Sequence, residues 1–501
     1  MTRKAGVLCP LFSVPGNQGI GDLGQKTIMM IDAIARAGYK VWEILPLSPT
    51  LQGNCPYKAA SSFAGDPIYI NIDRLAEMGL LTQSSVVNYN KFKDFIDYEH
   101  VREFKETYFQ RAFKAFRKNY AVYKSEFEAF KKEAFWLNQW TPYEVFRLSY
   151  GGEGWTSWDD EYRSWPERQE INLRDYVEKI FYVQFLQFIF YKQFDAVVQY
   201  AKSKGLQLMQ EMPFFVERDS ADVWFNKRAF QLNEDGTAKA SAGTPPDETF
   251  VNGQIWDRPV YDQDYLSATD FDLFRKRLKW LSRSYDYVRI VHFRAFDTFW
   301  QVPHGKEARE GRWVPGPGKN LLDQLQKEFP QTKLIAEDQG YSRAIYAGVR
   351  EEDQIPGIDV LVNRMETKSL KKPGGKNTVV YTSSFDTPTL EEDYQTYTNN
   401  KRIALRRFFK KKGYDHRAFH DLVVHFALDQ EADLAMIPIQ DICGYKGHTR
   451  ISMLGEGDDG NWKWKLKDFK TFPSEMNRTT QWLESSGRLN TEEKEAEKEA
   501  A

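Results

Sequence analysis

The N-terminal stretch that decides the fold reads AGVLCPLFSVPGNQGIGDLGQKTIMMIDAIARAGYKVWEIL, residues 5–45. It begins with a short apolar run, Ala5–Leu8, passes through a glycine-rich segment into an amphipathic run at 27–38, and ends in a second apolar run, Val41–Leu45. Short apolar runs are typical of buried parallel strands, and apolar residues three and four apart are typical of a helix packed on them. The stretch therefore predicts two parallel strands joined by a helix.

The same alternation continues along the chain. Further apolar runs, each followed by a helical stretch, occur at Leu206–Met209, Tyr287–Phe293, Lys333–Ala336, Ile358–Val362, Thr378–Tyr381 and Asp433–Ile437. Eight strands with intervening helices predict an α/β protein with a closed (β/α)8 TIM barrel. We expect residues 1–501 to form a single barrel domain without a separate C-terminal β-domain.

Two insertions and a tail interrupt this pattern. Residues 76–201 are rich in Phe, Tyr and charged residues and predict a largely helical insertion between strands 2 and 3. Residues 226–275 predict a loop-rich insertion after strand 3, and residues 490–501 predict a charged tail. In a barrel, insertions of this kind extend the loops at the carboxyl ends of the strands, where substrates bind.

Composition excludes several classes of function. Lys plus Arg (69) almost equals Asp plus Glu (71), so neither nucleic acid nor an anionic membrane is an expected partner. The three Cys residues have neither metal-ligand nor disulfide spacing, and we expect no metal and no organic cofactor. The N-terminus does not match a signal peptide, and no apolar run is long enough to span a membrane, which predicts a cytoplasmic protein.

Two carboxylates follow predicted barrel strands. Glu337 ends the strand KLIAE, and Asp386 lies just past the strand NTVVYTSS. Acidic residues at such positions are also typical of helix starts and turns. Two carboxyl groups facing one scissile bond, one ionised and one protonated, are what retaining chemistry at a sugar requires. Because the two carboxylates follow two different strands, a role in glycoside chemistry and a structural role at a helix start or turn are hypotheses of equal weight.

A series of motifs resembles one known family. GVLCPLFSVPGNQGIGDLG at 6–24, WEILPLSPT at 42–50 and CPYKAASSFAGDP at 55–67 resemble the opening blocks of the amylomaltases. Later blocks follow in the family's order: RDSADVW, AGTPPD, GQIWDRPVYD, GRWVPGPG, IAEDQG, IPIQD and GDDGNWKWKL. The resemblance spans residues 6–466. It implies a (β/α)8-barrel 4-α-glucanotransferase whose partners are α-1,4-glucans, the maltooligosaccharides of maltodextrin and glycogen metabolism.

The resemblance also assigns roles to residues. The family's general acid/base corresponds to Glu337, and its transition-state stabiliser corresponds to Asp386. The family's nucleophile is the Asp of Arg-Ile-Asp-His-Phe-Arg-Gly, but this chain reads RIVHFRAF at 289–296, which puts Val291 at the nucleophile position. The resemblance implies sugar contacts for the following residues: Tyr57, Trp256, Arg289 and His292.

Other positions depart from the family as well. The His before the stabilising Asp is Phe385, the Gln after the conserved Tyr is Lys58, and a Trp is replaced by Gln263. The Gly-Asp of the third strand has become Gln210-Glu211. Because Arg289 has lost the carboxylate two residues away, we expect its guanidinium to pair with Glu337 or Asp386 instead.

Three hypotheses follow. The first is an α-1,4-glucan-binding pseudoenzyme, inactive or severely impaired in retaining transglycosylation. The second is an active 4-α-glucanotransferase that uses a non-standard nucleophile, for which Asp297, six residues after Val291, and Glu211, at the end of the third strand, are candidates. The third is a regulatory or scaffolding protein that binds another glucan-metabolising enzyme, with the helical insertion as the docking surface.

Overall fold

The computed structural model of the protein describes residues 3–51, 53–86, 95–247, 250–337, 354–371, 374–453 and 460–489. The predicted charged tail, 490–501, lies outside these residues. Among the helices within these ranges, none is both long enough and apolar enough to cross a membrane.

Twelve strands are present in the described part of the chain. They are β1 (Lys4–Leu8), β2 (Val41–Glu43), β3 (Gln207–Pro213), β4 (Ala240–Thr244), β5 (Gln254–Pro259), β6 (Tyr287–Val291), β7 (Thr298–Pro303), β8 (Arg312–Pro315), β9 (Lys333–Ala336), β10 (Gly357–Val360), β11 (Thr378–Tyr381) and β12 (Leu434–Pro438).

Eight of these strands close a parallel barrel in the order β1-β2-β3-β6-β9-β10-β11-β12, and β12 pairs with β1 to complete it. All eight lie within a few residues of the strands predicted from the sequence, so the (β/α)8 barrel is confirmed. Strands covered on both faces carry nearly continuous apolar runs, and every residue of β6 and of β12 is buried. Gly6 on β1 has no room for a β-carbon because Met436 and Val41 occupy that space.

Nineteen helices accompany the strands in the described residues. They are α1 (Gln25–Ala37), α2 (Ile72–Glu77), α3 (Tyr98–Lys118), α4 (Tyr120–Glu133), α5 (Leu137–Ser149), α6 (Asp160–Arg163), α7 (Trp165–Arg168), α8 (Val177–Ser203), α9 (Ala221–Phe225), α10 (Gln263–Ala268), α11 (Asp272–Ser282), α12 (Gly318–Glu328), α13 (Thr367–Leu370), α14 (Leu390–Thr396), α15 (Asn399–Lys411), α16 (Phe419–Asp429), α17 (Ile439–Cys443), α18 (Phe472–Arg478) and α19 (Thr480–Ser485).

The helices α2–α8 lie between β2 and β3, and aromatic rings pack their interfaces. Phe116 on α3 contacts Phe127 on α4 and Phe185 on α8, with ring centroids 5.4 and 5.0 Å apart. A buried ion pair joins this region to the loop after β1. Lys105 Nζ on α3 lies 3.2 Å from Asp22 Oδ2 and donates to the main-chain oxygens of Ile68 and Ile70.

A second, antiparallel sheet has the strand order β5-β4-β7-β8. Its strands β4 and β5 fall inside the segment 226–275, for which the sequence predicted loops. The strands were missed because the segment is rich in Gly, Pro and Asp, which are typical of loops, and because β4 also pairs with β7, more than 50 residues further along the chain. Since β7 and β8 come directly after β6, the small sheet stands beside the carboxyl end of that barrel strand.

Candidate functional site

The predicted site residues converge on the carboxyl ends of the barrel strands. Val291 is the last residue of β6, Glu337 directly follows β9, and Asp386 lies in the turn after β11. Parallel strands of a closed barrel present all these ends on one face. The structure therefore brings together residues that lie almost 100 positions apart in the sequence.

Arg289 lies at the centre of this face and is completely buried. Its Nη2 donates to Glu337 Oε1 at 3.1 Å. Its Nη1 lies 3.2 Å from Glu211 Oε1 and 3.5 Å from Glu43 Oε1, without hydrogen-bond alignment. The expected pairing of Arg289 with Glu337 is confirmed, whereas Glu211 and Glu43, rather than Asp386, are its further partners.

Val291 lies two residues beyond Arg289 on the same strand, so both side chains are on the same face of β6. Val291 is 8% exposed, yet it is not part of the continuous hydrophobic core. Its main-chain oxygen accepts a hydrogen bond from the Phe214 N–H at 3.3 Å. An apolar side chain thus stands close to a cluster of charges.

Glu337 is held in its ionised form. Burial raises the pKa of this carboxyl, but the Arg289 guanidinium and the hydrogen bond from the His292 main-chain N–H outweigh burial and lower the pKa below its usual value. The two oxygens are both engaged, since Oε1 accepts from Arg289 and Oε2 accepts from the His292 main-chain N–H at 3.0 Å. A carboxylate bound in this way accepts protons poorly and has none to give.

His292 and Trp256 form a stacked pair. The ring centroids are 4.4 Å apart and the ring planes differ by 18°. His292 has a φ of 56°, a left-handed conformation that non-glycine residues seldom adopt. Burial lowers the pKa of its imidazole, which keeps the ring neutral. The left-handed backbone of His292 orients its imidazole, and the stack on that ring holds the indole of Trp256, which lies on β5.

Tyr57 lies in the loop after β2 and bridges two parts of the site. Its hydroxyl donates to Glu211 Oε2 at 2.6 Å, and its ring stacks on Phe385 with centroids 5.1 Å apart. Phe385 also packs on Trp462, with centroids 5.8 Å apart. An apolar cluster therefore occupies the position where the resemblance implies a histidine.

Asp386 follows Phe385 in the turn after β11. Its Oδ1 atom is buried and accepts no hydrogen bond from the described residues. Burial, followed by the negative charge of Glu337, raises the pKa of this carboxyl. Asp386 is thus a buried acceptor with unused capacity, which is a property expected of a group that binds a ligand hydroxyl.

Two adjoining cavities open at this face. The first has a volume of about 330 Å³ and is rich in aromatic side chains; among the residues lining it are Phe215, Trp300, Trp313, Glu337 and Asp386. The second has a volume of about 640 Å³ and carries charged walls that include Lys58, Glu217, Arg218, Asp257 and Arg258. Trp256 and His292 line both, so the stacked pair separates them.

Comparison with protein families gives one match over most of the chain. The family model described as 4-alpha-glucanotransferase matches residues 9–471 of this chain. This chain belongs to the 4-alpha-glucanotransferase family. The match runs from the loop after β1 to the start of α18, so it includes the whole barrel face just described.

Curated 4-alpha-glucanotransferases are similar over almost their full lengths. The protein of Synechocystis sp. is 33% identical over 97% of this chain and 96% of its own length. The protein of Aquifex aeolicus is 32% identical over 95% of this chain and 97% of its own length. The Thermus thermophilus protein is 30% identical over 98% of this chain and all of its own length.

Solved structures of amylomaltases share the fold. The amylomaltase of Streptococcus agalactiae, solved in complex with acarbose, superposes with a TM-score of 0.90 at 25% identity, covering 97% of this chain and 100% of that one. The amylomaltase of Corynebacterium glutamicum gives a TM-score of 0.74 at 16% identity over 97% of this chain and 74% of its own. The family fold therefore holds through nearly the entire chain.

One site residue was not identified from the sequence. Glu43 ends β2 and is fully buried against Arg289. The available signal was a carboxylate at the end of a barrel strand, the same signal that pointed to Glu337. Glu43 was missed because its neighbours on the strand, Trp42 and Ile44, make the run look like ordinary core.

Proposed function

We propose that this family member binds α-1,4-glucans at the barrel face and is inactive or severely impaired in retaining transglycosylation. The observation that carries the proposal is Val291, an apolar side chain at the position to which the family resemblance assigns the nucleophile. The acarbose complex of the Streptococcus agalactiae amylomaltase supports an oligosaccharide of glucose-like units as the ligand class.

A valine stops the reaction for two reasons. It cannot form the covalent glycosyl ester, and it supplies no negative charge to an oxocarbenium-like transition state. Electrostatic stabilisation of this kind contributes several kcal/mol, and each ~1.4 kcal/mol is a factor of about ten in rate. We therefore expect transfer to be several powers of ten slower than in family members that have the carboxylate.

The state of Glu337 adds a second obstacle. A general acid must carry a proton, and in retaining sites a neighbouring ionised nucleophile raises the pKa of the acid by repulsion. Val291 provides no such repulsion, and Arg289 and His292 lower the pKa of Glu337 instead. At neutral pH Glu337 is therefore ionised, and it cannot protonate a leaving oxygen.

For binding, we propose two kinds of contact. Trp256 and Tyr57 offer aromatic faces to the apolar faces of glucose rings. Asp386 and Glu337 offer carboxylate oxygens to sugar hydroxyls, and His292 offers a neutral ring nitrogen. The aromatic cavity of about 330 Å³ has the dimensions of an ordinary small-ligand site.

Glucan binding and disproportionation should be measured on one preparation. We expect maltooligosaccharides to bind in calorimetry while maltotriose yields neither glucose nor longer maltodextrins. The 4-alpha-glucanotransferase of Aquifex aeolicus, assayed in parallel, serves as the active control. Turnover comparable to that control would refute the loss of activity, and absence of heat with any maltooligosaccharide would refute the binding role.

The alternative with Glu211 as nucleophile predicts a covalent intermediate. Glu211 is 1% exposed, and its oxygens face Tyr57 and Arg289, which leaves no approach for an anomeric carbon. Incubation with a fluorinated glycosyl donor, followed by peptide mass mapping, should therefore leave Glu211 unlabelled. A glycosylated peptide that contains Glu211 would favour the alternative.

A further inference from the structure

Three carboxyl groups surround a single buried guanidinium. Glu337, Glu211 and Glu43 all lie within 3.5 Å of the Arg289 nitrogens. Arg289, Glu211 and Glu43 are each no more than 1% exposed. One positive charge balances one carboxylate, so full ionisation would leave two uncompensated negative charges in the barrel interior, at a cost that proteins avoid by binding a proton.

The oxygens of Glu43 and Glu211 show where such a proton fits. Glu43 Oε2 accepts from the Tyr381 hydroxyl at 3.0 Å, and Glu211 Oε2 accepts from the Tyr57 hydroxyl at 2.6 Å. The Oε1 atoms of both residues are buried and accept from no donor in the described part of the chain. Both Oε1 atoms also lie within 3.5 Å of the same atom, Arg289 Nη1. One proton between them would satisfy both unpaired oxygens.

We propose that Glu43 and Glu211 share one proton and act as a positioning pair, which holds Arg289 and Tyr57 in place for glucan binding. This inference rests on the proposed binding function. The pair, together with Glu337, supplies Arg289 with negative charge where Val291 supplies none. The pair also orients Tyr57, because Glu211 Oε2 accepts the hydrogen bond from the Tyr57 hydroxyl.

Besides the pair, Asp386 is the carboxyl at this face whose pKa is raised, by burial and by the charge of Glu337. The alkaline change in charge is therefore assigned to the pair only if substitution of Glu43 or Glu211 removes it. The charged and titratable groups that face the pair from the neighbouring elements are Tyr57, Arg289, His292, Glu337, Tyr381 and Asp386. Burial raises the pKa values of Tyr57 and Tyr381, so both remain donors, and burial lowers the pKa of His292, so it is already neutral.

The direction of the pH dependence follows from the shared proton. Burial raises the pKa values of Glu43 and Glu211, so the protonated pair persists above the ordinary glutamate range. Binding that requires this proton is fully present below the pKa of the pair. It falls by about tenfold for each pH unit above that pKa.

Two measurements test the proposal. Infrared spectra of the wild-type protein should show a carboxylic-acid carbonyl band at neutral pH that disappears in Glu43→Gln and in Glu211→Gln. Calorimetric titration with maltooligosaccharide should show the alkaline loss of affinity in the wild type and not in Glu43→Gln, because an amide donates permanently to Glu211. Glu43→Ala, which cannot donate, should bind more weakly at every pH.

The double variant Asp22→Asn, Lys105→Met is the matched control. Asp22 is also a buried carboxyl but pairs with Lys105 rather than with Arg289, and removal of both partners leaves no unpaired charge, so this variant should keep the wild-type pH profile and the infrared band. Absence of the band in the wild type, or an alkaline loss of affinity that persists in Glu43→Gln and Glu211→Gln, would overturn the shared proton. A wild-type protein that shows the band and binds no glucan at any pH would instead refute the proposed function.

Discussion

At the scale of single residues, strand β6 keeps the buried arginine of the family motif but carries a valine at the position to which the resemblance assigns the nucleophile. Arg289 keeps its buried position on β6 and still contacts Glu337, while Val291 brings no charge to the same face. Valine is β-branched and close to aspartate in size, so β6 accommodates it without strain. The strand thus keeps its packing with a side chain that carries no carboxylate at the position to which the resemblance assigns the nucleophile.

Val291→Asp should restore part of the transfer activity. The new carboxylate would supply a nucleophile and, by repulsion, raise the pKa of Glu337 so that it carries a proton. We expect maltotriose disproportionation to rise by at least about tenfold, or ~1.4 kcal/mol of transition-state stabilisation.

That variant should remain slower than the curated relatives, because Phe385 and Tyr57 keep their apolar stack. Its rate should fall at alkaline pH, where Glu337 loses the proton it needs. Val291→Asn, of the same size but without charge, is the control and should stay at the wild-type rate. Recovery of full activity by Val291→Asp alone would show that Phe385 does not limit the reaction.

Replacement of Trp256 by Ala should weaken glucan binding. Its ring provides a stacking face in the cleft and is held by His292, and contacts of this type contribute ~0.5–1.5 kcal/mol each. Calorimetry should therefore give an affinity about three- to tenfold lower. Trp482→Ala is the control, because it removes a similar stack, between Trp482 and His425, outside the cleft. The glucan affinity of that variant should equal that of the wild type.

At the scale of elements, one buried ion pair joins the helical insertion to the barrel. Lys105 on α3 is fully buried and makes three contacts, to Asp22 and to two main-chain oxygens. Burial raises the pKa of Asp22 and lowers that of Lys105, and their mutual attraction opposes both shifts. Removal of one partner leaves a buried charge without compensation.

Lys105→Met should therefore destabilise the protein by about 3–5 kcal/mol, measured by denaturant unfolding. The double variant Asp22→Asn, Lys105→Met should be less destabilised than Lys105→Met alone, because no unpaired carboxylate remains. Lys124→Met, on the neighbouring helix α4, provides an exposed comparison and should change stability by less than ~0.5 kcal/mol. If Lys105→Met and the double variant lost the same free energy of unfolding, a role for charge pairing would be contradicted.

At the scale of the whole molecule, the small sheet completes the cleft. Strands β4 and β5 come from the segment after β3, and β7 and β8 follow β6, yet they form one antiparallel sheet. Residues of all four of its strands line the aromatic cavity beside Glu337; among them are Gly243, Trp256, Trp300 and Trp313. The cleft is therefore shared between the barrel face and this sheet.

Local pattern was sufficient for the barrel. Apolar runs and helical periodicity placed all eight barrel strands, since a strand buried on both faces must be apolar along its length. The motif resemblance identified seven site residues, and the structure gathers them at one face. The sequence did not predict the small sheet, because the segment that holds β4 and β5 is rich in Gly, Pro and Asp and because its central pairing, β4 with β7, spans more than 50 residues.

The sequence by itself determined the barrel, the family and the absence of a carboxylate at Val291, because each depends on residue identity at fixed positions. Only the tertiary structure showed which carboxyl groups surround Arg289. Glu43, Glu211 and Glu337 come from three strands and meet at Arg289 because a closed barrel brings distant strands side by side. The number of carboxyl groups around the Arg289 guanidinium depends on the closure of the barrel, so it cannot be predicted from any single stretch of the sequence.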